Sequence, residues 1–211
     1  RFIPCALELG GKDAAIVLAD ADLDRAARGI AWGAFTNCGQ NCASVERIYV
    51  EQAVAEPFLE RLKAITASLR PGEDFGPLTT EAQRDIVEAQ VREAVEAGAR
   101  VEIGGERGSK EGWWYRPTIL TNVRDDLAVM TEETFGPVAP VRVVADAEEA
   151  IRLANASRFG LTSSVWTRDL ARGERLARRL EVGVATVNNH SFTGALPFAP
   201  WSGTKESGTG V

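Results

Sequence analysis

Short apolar blocks alternate along this chain with amphipathic stretches of 10 to 20 residues, and that alternation limits the folds open to it. "DAAIVLAD" (13–20) reads as a strand, and the segment 20–39 follows with Leu23, Ala26, Ala27, Ile30 and Ala34 at helical spacing. An acidic first turn opens that predicted helix and Gly39 is a plausible stop. "ASVERIYV" (43–50) returns to strand, and 53–69 and 80–99 read as helices, the second with Ile86, Val87, Val91 and Val95 on its apolar side and Gly98 at its end. "RVEIGG", "WYRPTIL" and "PVAPVRVV" read as extended, then "AEEAIRLANAS" as helix, "LTSSVW" as strand, 168–181 as helix and "GVATVN" (183–188) as strand. The stretch from His190 reads as loop. Strands alternating with helices predict βαβ units: an α/β fold with a mostly parallel sheet and helices on both faces.

The totals narrow the function. The 211 residues suit one domain with a sizeable core. A net charge of −6 lacks the dense basic face that nucleic acid requires. No apolar run approaches the roughly 18 residues of a membrane helix, so no membrane partner is expected. Three cysteines fit a reducing compartment, here the cytoplasm, better than a disulfide scaffold. The chain opens on Arg1 and closes on "SGTGV", and both ends read as cut from a longer protein.

The inventory of reactive side chains is short. His190 is the only histidine, and Cys38 with Cys42 cannot supply four zinc ligands, so no metal site is expected. A Cys–His dyad is open only through His190, which as a lone histidine is more often packed or on the surface. No GxGxxG or GxxxxGK[ST] loop is present. Cys42 lies between a helix and a strand, a junction that predicts a side chain at the carboxyl edge of the sheet, where clefts form. From cysteine content alone a buried apolar thiol and a nucleophile both remain open. A Cys38–Cys42 disulfide is conceivable, and Cys5 has no evident partner.

Five segments come in one order: "LELGGK" (7–12), "FTNCGQNC" (35–42), "EETFGPV" (132–138), "GVATVN" (183–188) and "PWSGTKESGTG" (200–210). Together they resemble the aldehyde dehydrogenase superfamily, and the resemblance covers essentially all of residues 1–211 as that family's catalytic domain. It implies that Cys42, two residues after the Gly-Gln pair, is the nucleophile and that Glu8 is the general base. It implies that Glu133 binds the nicotinamide ribose, that Phe135 positions that end of the cofactor, that the Leu9 carbonyl lies against the carboxamide, and that Gln83 is a further cofactor contact. Asn41 and Trp201 are implied at the substrate pocket. Read without the resemblance, Glu8 would be a solvated surface carboxylate and Trp201 a packed loop anchor. The approach to "PWSGTK" through "SFTGALPFAPWSG" looks longer than usual.

The implied chemistry is oxidation of a small-molecule aldehyde to a carboxylic acid by NAD or NADP, through a thiohemiacetal and a thioester on cysteine. The family's dinucleotide-binding domain, an oxyanion-stabilising Asn and an oligomerisation arm have no counterpart in these 211 residues, and the full-length protein is expected to be a homodimer or homotetramer. Two other readings stand beside this one: a catalytically silent fold or assembly module, and a CoA-acylating relative. Glu8 disfavours the second, because such relatives tend to lack that residue.

Overall fold

The computed structural model describes residues 3–190, 196 and 198–210. Seven strands form its main sheet. They are β2 (Asp13–Val17), β3 (Val45–Glu51), β4 (Arg100–Ile103), β5 (Thr118–Thr121), β6 (Val138–Val144), β8 (Thr162–Trp166) and β9 (Val184–Val187). The order across the sheet is β4-β5-β6-β3-β2-β8-β9. Only the β4–β5 pair is antiparallel. Two short antiparallel pairs complete the described strands: β1 (Leu7–Glu8) with β11 (Gly208–Thr209), and β7 (Phe159–Gly160) with β10 (Thr204–Lys205).

The pleat of β2 divides the core. Ala15 and Val17 point to one face, where α1 (Leu23–Phe35) and α2 (Ala55–Ser68) bury Ala26, Ala27, Ile30, Phe58 and Leu62. Ala14, Ile16 and Leu18 point to the other, under α3 (Glu81–Glu96), α4 (Ala128–Thr131), α5 (Ala147–Asn155) and α6 (Leu170–Ala177). A strand covered on both faces reads as an unbroken apolar run, which is why 13–20 carries no alternation. Side-chain caps fix the helix starts: Asp22, Thr80, Asp146 and Asp169 each accept the backbone N–H three residues on. Among the described residues no helix is long and apolar enough to cross a membrane.

Two expectations need correction. Ile86 and Val95 are 47% and 44% exposed, while Val87 and Val91 are buried as expected, together with Ala94 and the polar Gln90 and Arg84. The helix face is set by a polar network below it, which a count of apolar residues misses. The helix predicted over 20–39 also ends earlier, at Phe35, because Asn37 and Cys38 take left-handed backbone angles (φ 53° and 58°).

The third correction concerns the site. Because β2, β3, β6 and β8 run parallel, their first residues, Asp13, Val45, Val138 and Thr162, lie along one edge of the sheet. The segments 7–12, 35–42 and 132–138 therefore meet at the amino edge, not the carboxyl edge. A helix-to-strand junction must deliver its residues where the next parallel strand begins; the carboxyl-edge rule belongs to strand-to-helix loops.

The packing predicts a contrast between two isoleucines. Ile16→Ala on β2 should cost ~2–5 kcal/mol, and Ile86→Ala on α3 about 0.5 kcal/mol or less, as read from urea unfolding. Equal losses would contradict the assigned face of α3.

Candidate active site

The turn that carries Cys42 is built by its neighbours. Asn37 Nδ2 donates to the Gln40 carbonyl at 2.9 Å, and Gln40 Nε2 returns a bond to the Asn37 carbonyl at 3.1 Å. Gln40 Oε1 accepts from both the backbone N–H and the hydroxyl of Thr79, each at 2.8 Å. The glutamine of the Gly-Gln pair thus ties the cysteine turn to the loop before α3. Gly39 (φ 69°) lies so close to the 132–138 segment that an added Cβ would stand 2.2 Å from the Gly136 carbonyl oxygen. Asn41 Oδ1 accepts from the Ala43 N–H at 3.0 Å and from the Cys42 thiol at 3.7 Å. Among the described residues nothing accepts from the Cys42 N–H, which leaves that donor available to an oxyanion.

Glu133 brings two further motifs together. Its Oε1 accepts from the Gly11 N–H at 3.0 Å, and the backbone of Gly10 (φ 86°) lies directly beneath the carboxylate. The loop holding Glu133 is fixed from below by a buried ion pair. Lys12 Nζ donates to Glu46 Oε2 at 2.7 Å and accompanies that with a bond to Thr134 Oγ1 at 2.8 Å. Glu46 in turn accepts the backbone N–H groups of Thr134 and Phe135, each at 2.8 Å. Thr134 Oγ1 donates to Gln90 Oε1 at 2.8 Å, and Gln83 Nε2 donates to the carbonyls of Thr134 and Phe135. Phe135 has φ 48°, a costly conformation for a bulky residue. The bonds to its N–H and carbonyl hold it there.

Glu46 reaches the loop because of a bulge. Asp13 pairs with Val45 and Ala14 with Arg47, so Glu46 is an extra residue in β3. It returns Val45 to the α1 face and leaves the Glu46 carboxylate free to meet Lys12 on the other.

The thiol sits among carboxylates. Cys42 is half-buried, and burial pushes its pKa up; Asp13 raises it further, the Ala43 N–H opposes, and Glu8 and Glu133 add to the rise. Glu133 is itself raised by burial, with the Gly11 N–H opposing. Glu8 and Leu9 are exposed, held by the β1–β11 pair and by a bond from the Leu9 N–H to the Ser207 carbonyl at 3.0 Å. Cys38 is fully buried and pushed up to about 12 by that burial, an inert packed thiol. His190 does not pair with a thiol; its Nε2 donates to the Ala43 carbonyl at 2.6 Å.

The arrangement therefore gathers Cys42, Asn41, Glu8, Leu9, Glu133 and Phe135 along one edge, with Gln83 acting on the loop that carries two of them. Trp201 is half-buried ahead of β10. The stretch 191–195 and residue 197, in the segment that looked longer than usual, lie outside the described residues. Sequence reasoning missed Gln40, Lys12, Glu46, Gln90, Asp13 and Thr162; Lys12 and Gln40 lay inside the quoted motifs, while the other four carry no local signal. Among the described residues no three His, Cys, Asp or Glu side chains cluster as metal ligands. Leu9, Glu132, Glu133, Arg158, Phe159 and Glu206 line an open hollow next to the Glu133 carboxylate. Arg158 there bonds both Glu132 and Glu206, at 2.5 and 2.7 Å.

Fold and site together define an α/β protein with a half-buried thiol near carboxylates at the amino edge of a mostly parallel sheet. A family model described as the aldehyde dehydrogenase family matches residues 1–211. The chain is 43% identical to 2-hydroxymuconic semialdehyde dehydrogenase of Pseudomonas putida, over 97% of this chain and 44% of that protein. It is 40% identical to a succinate-semialdehyde dehydrogenase (NADP(+)) of Mycobacterium tuberculosis, over 98% of this chain and 46% of that one. The solved structure of an NAD-dependent aldehyde dehydrogenase from Sinorhizobium meliloti superposes with a TM-score of 0.93 at 38% identity, covering 97% of this chain and 42% of that one. The chain belongs to the aldehyde dehydrogenase family, and it spans less than half the length of each of these relatives.

Two predictions follow from the geometry. Lys12→Met leaves the buried Glu46 carboxylate without its cation and should destabilise the fold by ~3–5 kcal/mol in urea unfolding; a loss below about 1 kcal/mol would show the pair to be dispensable. His190 is 4% exposed, and burial draws its pKa down to about 4 from the usual 6.5. The unfolded chain therefore takes up a proton near pH 6.5 that the folded chain refuses until about pH 4. Stability from this residue is full above that window and is lost as pH falls through it, by on the order of 3 kcal/mol. His190→Gln should lose less stability than the parent between pH 7 and 4.5, and parallel losses would remove His190 as the cause.

Proposed function

We propose that residues 1–211 are the catalytic domain of an aldehyde dehydrogenase that oxidises an aldehyde to a carboxylic acid with NAD or NADP. The observation that carries this reading is the meeting of a half-buried thiol, Cys42, with the Glu8 and Glu133 carboxylates at one sheet edge. Cys42 attacks the aldehyde carbonyl and forms a thiohemiacetal, whose oxyanion the Cys42 N–H steadies. The raised thiol pKa calls for a base at that step, and Glu8 is the exposed carboxylate within its electrostatic reach. Being exposed, Glu8 passes the thiol's proton to solvent, and after oxidation it takes a proton from the water that hydrolyses the thioester.

The residues fit one end of a dinucleotide. Glu133 has one carboxylate oxygen bonded to Gly11, which leaves the other to accept a ribose hydroxyl. The hollow beside it sets three carboxylates against one guanidinium, a lining suited to a sugar and unsuited to phosphates. Phe135, the Leu9 carbonyl and Gln83 support the nicotinamide end. When bound, the dinucleotide supplies the hydride acceptor. The names of the relatives support an aldehyde substrate and leave its structure open; one of those relatives is named for NADP and another for NAD.

The test uses the full-length protein. Glu8→Gln should slow thioester hydrolysis more than acylation, giving a burst of reduced dinucleotide followed by turnover at least about tenfold slower. An unchanged steady-state rate removes Glu8 from the mechanism. The 211-residue chain alone should not turn over a panel of aldehydes with either dinucleotide, because the phosphate-binding part is not among its motifs. Turnover by that chain would place the complete site within it.

A further inference from the structure

One buried carboxyl beside the cleft has no part in the steps above. Asp13, the first residue of β2, is 2% exposed. Its Oδ1 accepts the Thr162 N–H at 2.9 Å, and its Oδ2 bonds the Thr162 hydroxyl. Gly11 marks how close this carboxyl comes to the nucleophile's backbone. A Cβ there would lie 2.6 Å from the Cys42 carbonyl oxygen and 2.9 Å from Asp13 Oδ1. The carboxyl and the cysteine turn thus face each other across a gap that only a glycine fits.

The cations nearby are engaged elsewhere. Arg47 on β3 gives its donors to the carbonyls of Lys12, Leu153 and Ala154 and to the Tyr49 hydroxyl. Lys12 is held by Glu46 and Thr134. Besides Thr162 on β8, the groups acting on Asp13 are Glu46, which raises its pKa, and Arg47, which lowers it. Around the thiol stand Glu8, Glu133 and Asp13, with the neutral His190 on the Ala43 carbonyl.

We propose that Asp13 is a positioning residue for the nucleophile: clamped by Thr162, its carboxyl controls how readily the Cys42 thiol ionises. This rests on Cys42 being the nucleophile. Burial pushes Asp13 up to about 8, against the two Thr162 donors, so the carboxyl is mostly neutral at pH 7. Below pH 8 the thiol faces a neutral dipole. Above it Asp13 ionises, and its charge opposes the thiolate more strongly than Glu8 or Glu133 does. The two groups then titrate as a pair, each proton lost making the other harder to lose, and thiol reactivity climbs with pH along a shallow, stretched curve.

The experiment is iodoacetamide alkylation of the full-length protein from pH 6.5 to 10, with the labelled cysteine mapped by mass spectrometry. Asp13→Asn keeps the shape and both Thr162 contacts but cannot ionise. Its Cys42 should react roughly 3–10-fold faster than the parent's near pH 9, about equally at pH 6.5, and along a steeper single titration. Thr162→Val supplies a second variant: losing the hydroxyl keeps Asp13 neutral to higher pH, so Cys42 alkylation near pH 9 should again be faster. Superimposed profiles, or a constant offset at every pH, overturn the electrostatic role while leaving Cys42 as the nucleophile. Labelling of Cys38 or Cys5 with Cys42 untouched overturns the nucleophile assignment, and this inference with it.

Discussion

The buried Lys12–Glu46 pair is the point on which the site depends. Lys12 ends the first motif, Glu46 enters the sheet four residues after Cys42, and the Thr134 and Phe135 N–H groups that Glu46 accepts belong to the third. Desolvating two charges is expensive, and such a pair is no more stabilising than well-packed apolar residues of the same volume. Its value is geometric. An apolar pair could not accept the N–H groups of a loop forced to φ 48° at Phe135, nor set Glu133 against Gly11. Gln83 and Gln90 on α3 complete the cradle, and this explains why that helix buries amides where apolar side chains were expected.

The electrostatics around Cys42 are unusual for a thiol proposed to react. Low-pKa cysteines ordinarily sit beside cations or helix N-termini. Cys42 has carboxylates for neighbours, and burial adds to their effect. Its proton is therefore retained at rest, and reactivity has to be switched on locally by a base and by groups that lose or mask negative charge. Asp13, neutral around pH 7, removes one of those charges without any counterion.

Much of the fold was legible because it is local. Apolar blocks and 3.6-residue periodicity found the seven strands of the main sheet and the five long helices, since a doubly covered sheet writes its burial into each strand. The two-residue pairs β1–β11 and β7–β10 join segments far apart in sequence and leave no periodic trace. For the site, the residues alone left Cys42 open between a packed thiol and a nucleophile and read Glu8 as a solvated carboxylate; the order of the motifs supplied their proposed roles. The placement at the carboxyl edge failed because a spacing argument carries no strand direction until the parallel order is known. Glu46 and Asp13 read as ordinary charges, because nothing in a single sequence marks which carboxylates will lack water.

The bulge at Glu46 sets the phase of the strand that follows the Cys42 turn. From Arg47 onward β3 alternates regularly, with Tyr49 toward α5 and Ile48 and Val50 toward α1. Val45 shares the α1 face with Ile48 although they stand three positions apart, because Glu46 is the extra residue between them. Three residues, Ala43, Ser44 and Val45, separate Cys42 from this bulge. Deleting Glu46 would straighten β3 and leave Val45 toward α1, while removing the carboxylate that holds Lys12 and the Thr134 and Phe135 N–H groups. The extra residue therefore serves the loop of Glu133 rather than the sheet: β3 could pair with β2 without it, and the loop would lose the acceptor that shapes it.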